Sequence, residues 1–152
     1  MLKTTSLFLR HSLLPTKQAL RLRLAPLHAY MLASLVFITI ATFFDYMLLQ
    51  PDFFAPMWLF LHGFSLFFFY MIWVALSALF VQLVTRLKTK KTWPYRQAWP
   101  YSVAMTLVPT LSLIVLYFTM PSLLWLGFVL TVVYLTIPLV QIPTHQRKPE
   151  RR

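Results

Sequence analysis

Four long apolar stretches, separated by short polar ones, dominate the pattern of the chain. They cover about residues 27–49, 57–85, 101–120 and 123–142. Each is about twenty residues long or longer, which at a rise of about 1.5 Å per residue crosses the roughly 30 Å hydrocarbon core of a bilayer. The pattern therefore predicts four transmembrane helices. The second is longer than a bilayer needs and should tilt or project beyond it.

Short connections predict that these helices pair in chain order. Only QPDFFAP, residues 50–56, lies between the first two stretches, and only Pro121 and Ser122 stand between the last two. So short a connection makes consecutive helices antiparallel neighbours. The predicted fold is an all-α membrane protein with a four-helix transmembrane domain, residues 27–142. Its two antiparallel hairpins are joined by RLKTKKTWPYRQAWP, residues 86–100.

The segment before the first span, residues 1–26, interleaves cations with leucines. Pro15 suits the first turn of a helix. In a helix that begins there, Lys17 and Arg21 would face lipid headgroups, while leucines four residues apart face the acyl chains. We predict an N-terminal interfacial amphipathic helix; the alternative is a short cytoplasmic tail folded onto the protein itself. After the last span, residues 143–152 form a basic cytoplasmic tail.

Composition supports helices and excludes thiol chemistry. Hydrophobic residues make up 59% of the chain, three residues are Asp or Glu, and two are glycine. Such a chain needs a bilayer around it, and its unbroken apolar runs differ from the alternating strands of a membrane barrel. Because the chain has no cysteine, disulfides and thiolate metal sites are excluded.

All fourteen lysines and arginines fall in three segments: before the first span, between the second and third, and after the fourth. Positive residues concentrate on the cytoplasmic side of membrane proteins, so both termini are predicted to be cytoplasmic. The distribution indicates anionic lipid headgroups, and not nucleic acid, as the partner of this charge. The predicted headgroup contacts are Lys17, Arg21, Arg23, Arg86, Lys88, Lys90, Lys91 and Arg96.

Aromatic residues accompany the cations between the second and third spans. They are Trp93, Tyr95, Trp99 and Tyr101. Basic residues mixed with aromatic ones also suit stacking on RNA bases. The adjoining spans favour a different role, anchoring at the headgroup level, where the ring is in apolar surroundings and its N–H or O–H stays hydrated.

Asp45 and His62 are the strongly ionisable residues that lie clearly inside the apolar stretches. Each lies about one helical turn from the outer surface, on consecutive antiparallel helices. The two side chains are therefore predicted to meet as an intramembrane polar pair. One interpretation is a proton or cation site open to the outside; the other is a purely structural contact. No group of residues in the sequence has the spacing of metal ligands.

Prolines and small residues mark the last two spans. Pro109 and Pro138 lie inside them and predict helix kinks, which are hinges in a transport protein and static bends elsewhere. Ser102, Thr106 and Thr110 recur every four residues, a spacing that suits close helix packing.

No catalytic motif accompanies this architecture. The sequence shows no phosphate-binding glycine loop, no paired intramembrane carboxylates, no HExxH and no nucleophile with a placed base. We expect a non-enzymatic protein without a cofactor, an accessory or scaffold subunit that packs against other membrane protein subunits. The alternatives are a small oligomeric transporter or channel that uses Asp45 and His62, and an organiser that binds anionic lipids.

About a quarter of the chain resembles a known family. SLLPTKQALRLRLAPLHAYML, residues 12–32, and YRQAWPYSVAMTLVPTLSL, residues 95–113, resemble uncharacterised bacterial membrane proteins often encoded beside maltodextrin-utilisation genes, themselves loosely similar to Yip-type membrane proteins. That family usually has a longer outer segment than QPDFFAP between its first two spans. The resemblance implies a polytopic protein of the bacterial cytoplasmic membrane, and it assigns no catalytic or binding residue.

Overall fold

The computed structural model describes residues 2–89 and 92–142. The predicted basic tail, residues 143–152, and the predicted headgroup contacts Lys90 and Lys91 lie outside the described residues. In chain order the elements are α1 (Leu2–Ser12), a first 3₁₀ helix (Lys17–Leu24), α2 (Leu27–Leu49), α3 (Ala55–Thr89), α4 (Tyr95–Thr119), a second 3₁₀ helix (Pro121–Leu123) and α5 (Leu124–Val140).

Four of these helices are long and apolar enough to cross a membrane. They are α2, α3, α4 and the continuous run from the second 3₁₀ helix through α5. No strand occurs among the described residues. The predicted all-α membrane fold is therefore confirmed.

Helix α4 is the centre of the bundle. It packs against α1, the first 3₁₀ helix, α2, α3 and α5, whereas the backbones of α2 and α5, both fully described, do not approach each other closely. Its first half is buried without interruption from Pro100 to Leu107. The outer half is more open, with Val115 and Tyr117 mostly exposed to the surroundings. The four spans are thus packed tightly at the end where α4 begins and loosely at the other end.

Helices α3 and α4 extend beyond their predicted limits. Helix α3 spans Ala55–Thr89, where the sequence predicts residues 57–85. Helix α2 occupies residues 27–49, as the sequence predicts, but α4 begins at Tyr95 and not near Tyr101. Pro94 precedes its first turn in an extended conformation, while Pro100, which the sequence suggested as the helix start, lies inside the helix. A proline so near the start removes only one backbone hydrogen bond. Residues 86–89 and 95–100 of the predicted connection therefore belong to α3 and α4.

The N-terminal segment packs onto the bundle. The structure has α1 before Pro15 and the first 3₁₀ helix after it, where the sequence suggested one helix from Pro15 onward. Phe8 of α1 is 2% exposed. A 3₁₀ helix repeats every three residues, so Ala19 and Leu22 share the side that is buried against the bundle. Leu24 is exposed, so one face of this segment is free for lipid.

Pro109 and Pro138 lie inside α4 and α5 as predicted, and both are fully buried. Each removes one backbone hydrogen bond from its helix. Their burial against neighbouring helices fits static packing sites better than free hinges.

Candidate functional sites

The first candidate site joins Asp45 and His62 where α2 ends and α3 begins, at the end of the bundle that the charge distribution predicts to be the outer one. The two spans are connected by five residues, so the last turns of α2 lie beside the first turns of α3. Nε2 of His62 lies 3.0 Å from Oδ2 of Asp45. Trp58, one turn earlier on α3, stacks on the imidazole with ring centroids 4.2 Å apart. The structure thus brings the two predicted residues together and holds the imidazole under an indole ring.

The chemistry of this pair is limited by its surroundings. The Asp45 side chain is 12% exposed and that of His62 is 30% exposed, so the pair lies just inside the outer surface. Oδ1 of Asp45 is buried and has no hydrogen-bond partner in the protein. Deeper on α2 the buried polar side chains are Thr42 and Ser34, and their hydroxyls donate to carbonyls of their own helix. This buried face of α2 therefore offers no further ionisable group. This arrangement favours a structural contact.

No group of three or more possible metal ligands is present among the described His, Asp and Glu residues. The Asp45 and His62 pair supplies two ligands, one fewer than a catalytic zinc site takes from the protein.

Removing one member of the pair should destabilise the protein more than removing both. A leucine at position 62 leaves the Asp45 carboxylate without its partner, whereas the double variant Asp45→Leu/His62→Leu leaves no charge to desolvate. Because the pair is partly exposed, we expect His62→Leu to lower the free energy of unfolding by about 1–2 kcal/mol and the double variant to regain most of it. The measurement is unfolding by SDS in mixed micelles, followed by circular dichroism.

His28→Leu is the matched control, because His28 is an exposed histidine at the opposite end of α2. It should change the unfolding free energy by less than about 0.5 kcal/mol. A double variant less stable than His62→Leu would contradict a structural role for the pair.

The second candidate site lies at the opposite, basic end of the bundle and is built on Trp93. This indole is 7% exposed and packs edge-on against Tyr101, with ring centroids 5.6 Å apart. Its backbone carbonyl accepts a hydrogen bond of 2.9 Å from the Gln82 amide. The guanidinium of Arg23 lies over the indole, 4.9 Å from the ring centroid, which is a cation–π contact.

The headgroup-anchoring prediction is therefore wrong for Trp93 and Tyr101. Both rings are buried inside the protein because the N-terminal segment covers the start of α4. Tyr95 and Trp99 fit the headgroup-anchoring prediction better, because Tyr95 is 43% exposed and Trp99 is partly exposed. Their ring centroids are 5.5 Å apart.

A pocket of about 560 Å³ opens beside the Arg23 guanidinium. Arg96 at the start of α4 and Tyr30 at the start of α2 line the same pocket. The described acids are Asp45 and Asp52, which both lie at the outer end of α2 or in the turn after it. No described carboxylate therefore neutralises the two arginines at the basic end.

The other predicted headgroup contacts divide into two groups. Lys17, Arg21 and Arg86 are exposed. Lys88 instead packs against α5, where its ammonium group donates to the backbone carbonyls of Leu139, at 3.0 Å, and Val140. A cation at these last carbonyls completes the hydrogen bonding of the helix end and interacts favourably with its dipole.

The pairing of Arg23 with Trp93 could not be found from the sequence. The two residues are far apart in the chain, and no periodic pattern links the first 3₁₀ helix to the connection before α4. The sequence offers one hint about Arg23: it lies close to Pro26, where the chain changes direction and enters the first span.

Comparisons with protein-family models, with curated proteins and with solved structures find no match to this chain. Its resemblance to the maltodextrin-associated membrane proteins stays a prediction. What is shown is an integral membrane protein with four apolar spanning helices.

Proposed function

We propose that this protein is a non-enzymatic membrane protein that binds the phosphate headgroup of an anionic phospholipid between Arg23 and Arg96. The observation that carries the proposal is that both arginines line one pocket at the end where no described carboxylate lies. That end is the one predicted to be cytoplasmic by the positive charges. Anionic lipids are concentrated in the cytoplasmic leaflet.

The chemistry of the pocket suits a phospholipid. A guanidinium presents a planar fork of donors that matches phosphate oxygens. Arg23 is already positioned by its contact with the Trp93 ring, so less rotamer entropy is lost when it binds. Leu24 and Leu27 line the same pocket and are mostly exposed. They offer an apolar surface to the acyl chains of a lipid whose headgroup is bound by the two arginines.

The test compares two variants that lose the same charge. Arg23→Gln/Arg96→Gln removes both pocket cations, and Lys17→Gln/Arg86→Gln removes two exposed cations outside the pocket. The protein in mild detergent is titrated with short-chain phosphatidylglycerol or phosphatidylcholine, and native mass spectrometry counts the bound lipid. Each cation contributes about 1 kcal/mol to the binding of an anionic lipid, and solvent screening reduces that contribution. The pocket variant should therefore bind phosphatidylglycerol about tenfold more weakly.

The control variant should lose less than about threefold, and phosphatidylcholine should bind more weakly than phosphatidylglycerol to the unmodified protein. Equal losses in the two variants would mean that the lipid responds to net charge alone. That result would contradict a pocket.

An accessory or scaffold role has separate support in an exposed aromatic ridge. Phe60, Phe64 and Phe68 recur every four residues along α3, and each is more than half exposed. A groove of about 490 Å³ between α2 and α3 is lined by Phe60 and Phe64 and includes Gly63. Small residues beside large ones suit the close packing of another transmembrane helix.

Affinity purification in mild detergent, followed by mass spectrometry, tests this role. A subunit should bring down a stoichiometric membrane protein that is lost when Phe60, Phe64 and Phe68 are changed to leucine. Recovery of the chain alone as a monomer would contradict it.

A further inference from the structure

A second basic pocket adjoins the pocket of Arg23 and Arg96 at the same end of the bundle. It has a volume of about 450 Å³ and lies between the first 3₁₀ helix and the residues that follow α5. Its lining residues are Leu20, Arg21, Arg23, Leu24 and Ile142. Arg23 and Leu24 line the first pocket as well. The two pockets are therefore neighbours, and they share the Arg23 side chain.

The second pocket offers an anion the same charge environment as the first. Arg21 and Arg23 supply two guanidinium groups, and no described carboxylate lies at this end of the bundle. The end of α5 would by itself disfavour an anion, because the last carbonyls of a helix carry a partial negative charge. Lys88 offsets that charge, since its ammonium group donates to the carbonyls of Leu139 and Val140.

Arg23 is suited to serve both pockets at once. Its guanidinium lies over the Trp93 ring, 4.9 Å from the ring centroid. A guanidinium carries five N–H donors in a planar fork, more than one phosphate uses in a bidentate contact. Arg96 adds a second guanidinium in the first pocket, and Arg21 adds one in the second. Each pocket thus has an arginine of its own beside the shared one.

Each pocket also has an apolar surface of its own. Leu27 lines the first pocket and is 66% exposed, whereas Leu20 and Ile142 line the second. Leu24, which is 69% exposed, lines both. Exposed leucines beside a headgroup site offer a surface to acyl chains. This arrangement suits a lipid with acyl chains beside each of two phosphates, and not a headgroup that carries a second phosphate far from the chains.

We propose that the two pockets together bind one lipid with two phosphodiester groups joined by a glycerol, which is the chemistry of cardiolipin. One phosphate binds between Arg23 and Arg96, and the other binds between Arg21 and Arg23. Basic pockets beside membrane helices recognise headgroups of this kind. The inference rests on the proposed function, which requires only the first of these two phosphates.

The test titrates the full chain in mild detergent with three short-chain lipids, and native mass spectrometry counts the lipids bound per chain. They are cardiolipin, phosphatidylglycerol, which has one phosphate, and phosphatidylinositol 4-phosphate, which has two phosphates and one pair of acyl chains. One cardiolipin should bind at least about fivefold more tightly than phosphatidylglycerol. It should also bind more tightly than phosphatidylinositol 4-phosphate, although the phosphomonoester gives that lipid the larger negative charge.

Two matched variants locate the second phosphate. Arg21→Gln and Lys17→Gln each remove one exposed cation from the first 3₁₀ helix, but Arg21 lines the second pocket and Lys17 lines neither. Arg21→Gln should weaken cardiolipin binding about threefold. It should leave phosphatidylglycerol binding in the first pocket unchanged, which also shows that this variant is folded. Lys17→Gln should leave the binding of both lipids unchanged.

Three results would overturn the second phosphate site. They are equal cardiolipin binding by Arg21→Gln and Lys17→Gln, phosphatidylglycerol binding as tightly as cardiolipin, and phosphatidylinositol 4-phosphate binding as tightly as cardiolipin. In each case the loss of phosphatidylglycerol binding in Arg23→Gln/Arg96→Gln would still support the proposed function. A failure of the proposed function gives a different result, because Arg23→Gln/Arg96→Gln would then bind phosphatidylglycerol as well as its control does.

Discussion

Replacing Tyr101 with alanine should lower the free energy of unfolding by about 3–5 kcal/mol, the range for removing a large aromatic side chain from a packed core. Tyr101 has no exposed surface. Its ring packs against Trp93, and its hydroxyl donates a hydrogen bond of 2.9 Å to the Leu135 carbonyl of α5. Truncation would open a cavity where α4, α5 and the basic end meet. Unfolding by SDS in mixed micelles measures the loss.

Conservative variants separate the ring from the hydroxyl. Tyr101→Phe keeps the packing and removes one hydrogen bond, so it should cost about 1 kcal/mol. Tyr70→Phe is the matched control, because the Tyr70 hydroxyl lies at the longer distances of 3.4 Å from the Val103 carbonyl and 3.5 Å from the Thr106 hydroxyl. It should cost less than about 0.5 kcal/mol, as expected for weak contacts. If Tyr101→Ala cost no more than Tyr101→Phe, the ring would not support the core.

Gly127→Ala should destabilise the bundle by about 2–3 kcal/mol, whereas Gly63→Ala should be nearly neutral. A Cβ atom at Gly127 would lie 2.4 Å from Cδ2 and 2.6 Å from Cγ of Leu113. Overpacking of this kind forces side chains or backbone to move. At Gly63 the nearest atom would be Oγ1 of Thr42 at 3.1 Å. That mild contact is offset by the better helix propensity of alanine, worth about 1 kcal/mol.

A second change tests whether Leu113 is the cause. In the double variant Gly127→Ala/Leu113→Ala the new methyl group has room, so part of the stability lost in Gly127→Ala should return. The SDS titration used for Tyr101 measures all three variants. If the double variant were no more stable than the two single effects added together, the clash between α4 and α5 would not explain the cost.

Hydrophobic length and short connections were enough to predict the spans and the outer pair. Residues 27–49 form α2 as predicted because Pro26 and the QPDFFAP turn limit it on both sides. The meeting of Asp45 and His62 followed from two facts in the sequence, their equal depth and the short turn between them. Contacts between consecutive helices can therefore be predicted from the depth of their residues and the length of the turn that joins them.

The basic end was predicted less well, for a physical reason. Trp93 and Tyr101 have the composition of membrane anchors, and their burial depends on a segment that lies far away in the chain. Pro100 looks like a helix start in the sequence, yet Pro94 lies at that boundary. Nε1 of Trp73 and Oγ1 of Thr110 are buried without a hydrogen-bond partner, which the sequence could not show because hydroxyl and indole groups in spans usually have partners. Only three-dimensional packing shows which ones do not.

The docking of the N-terminal segment on α4 has a consequence for biogenesis. Residues 2–24 precede the four spans in the chain, but the surface that buries Phe8, Ala19 and Leu22 includes α4, which follows two complete spans later. The first hairpin must therefore enter the bilayer before this segment reaches its final position. The segment can complete its packing only when α4, the third span, is in place, so its docking waits for a part of the chain that follows it by two spans.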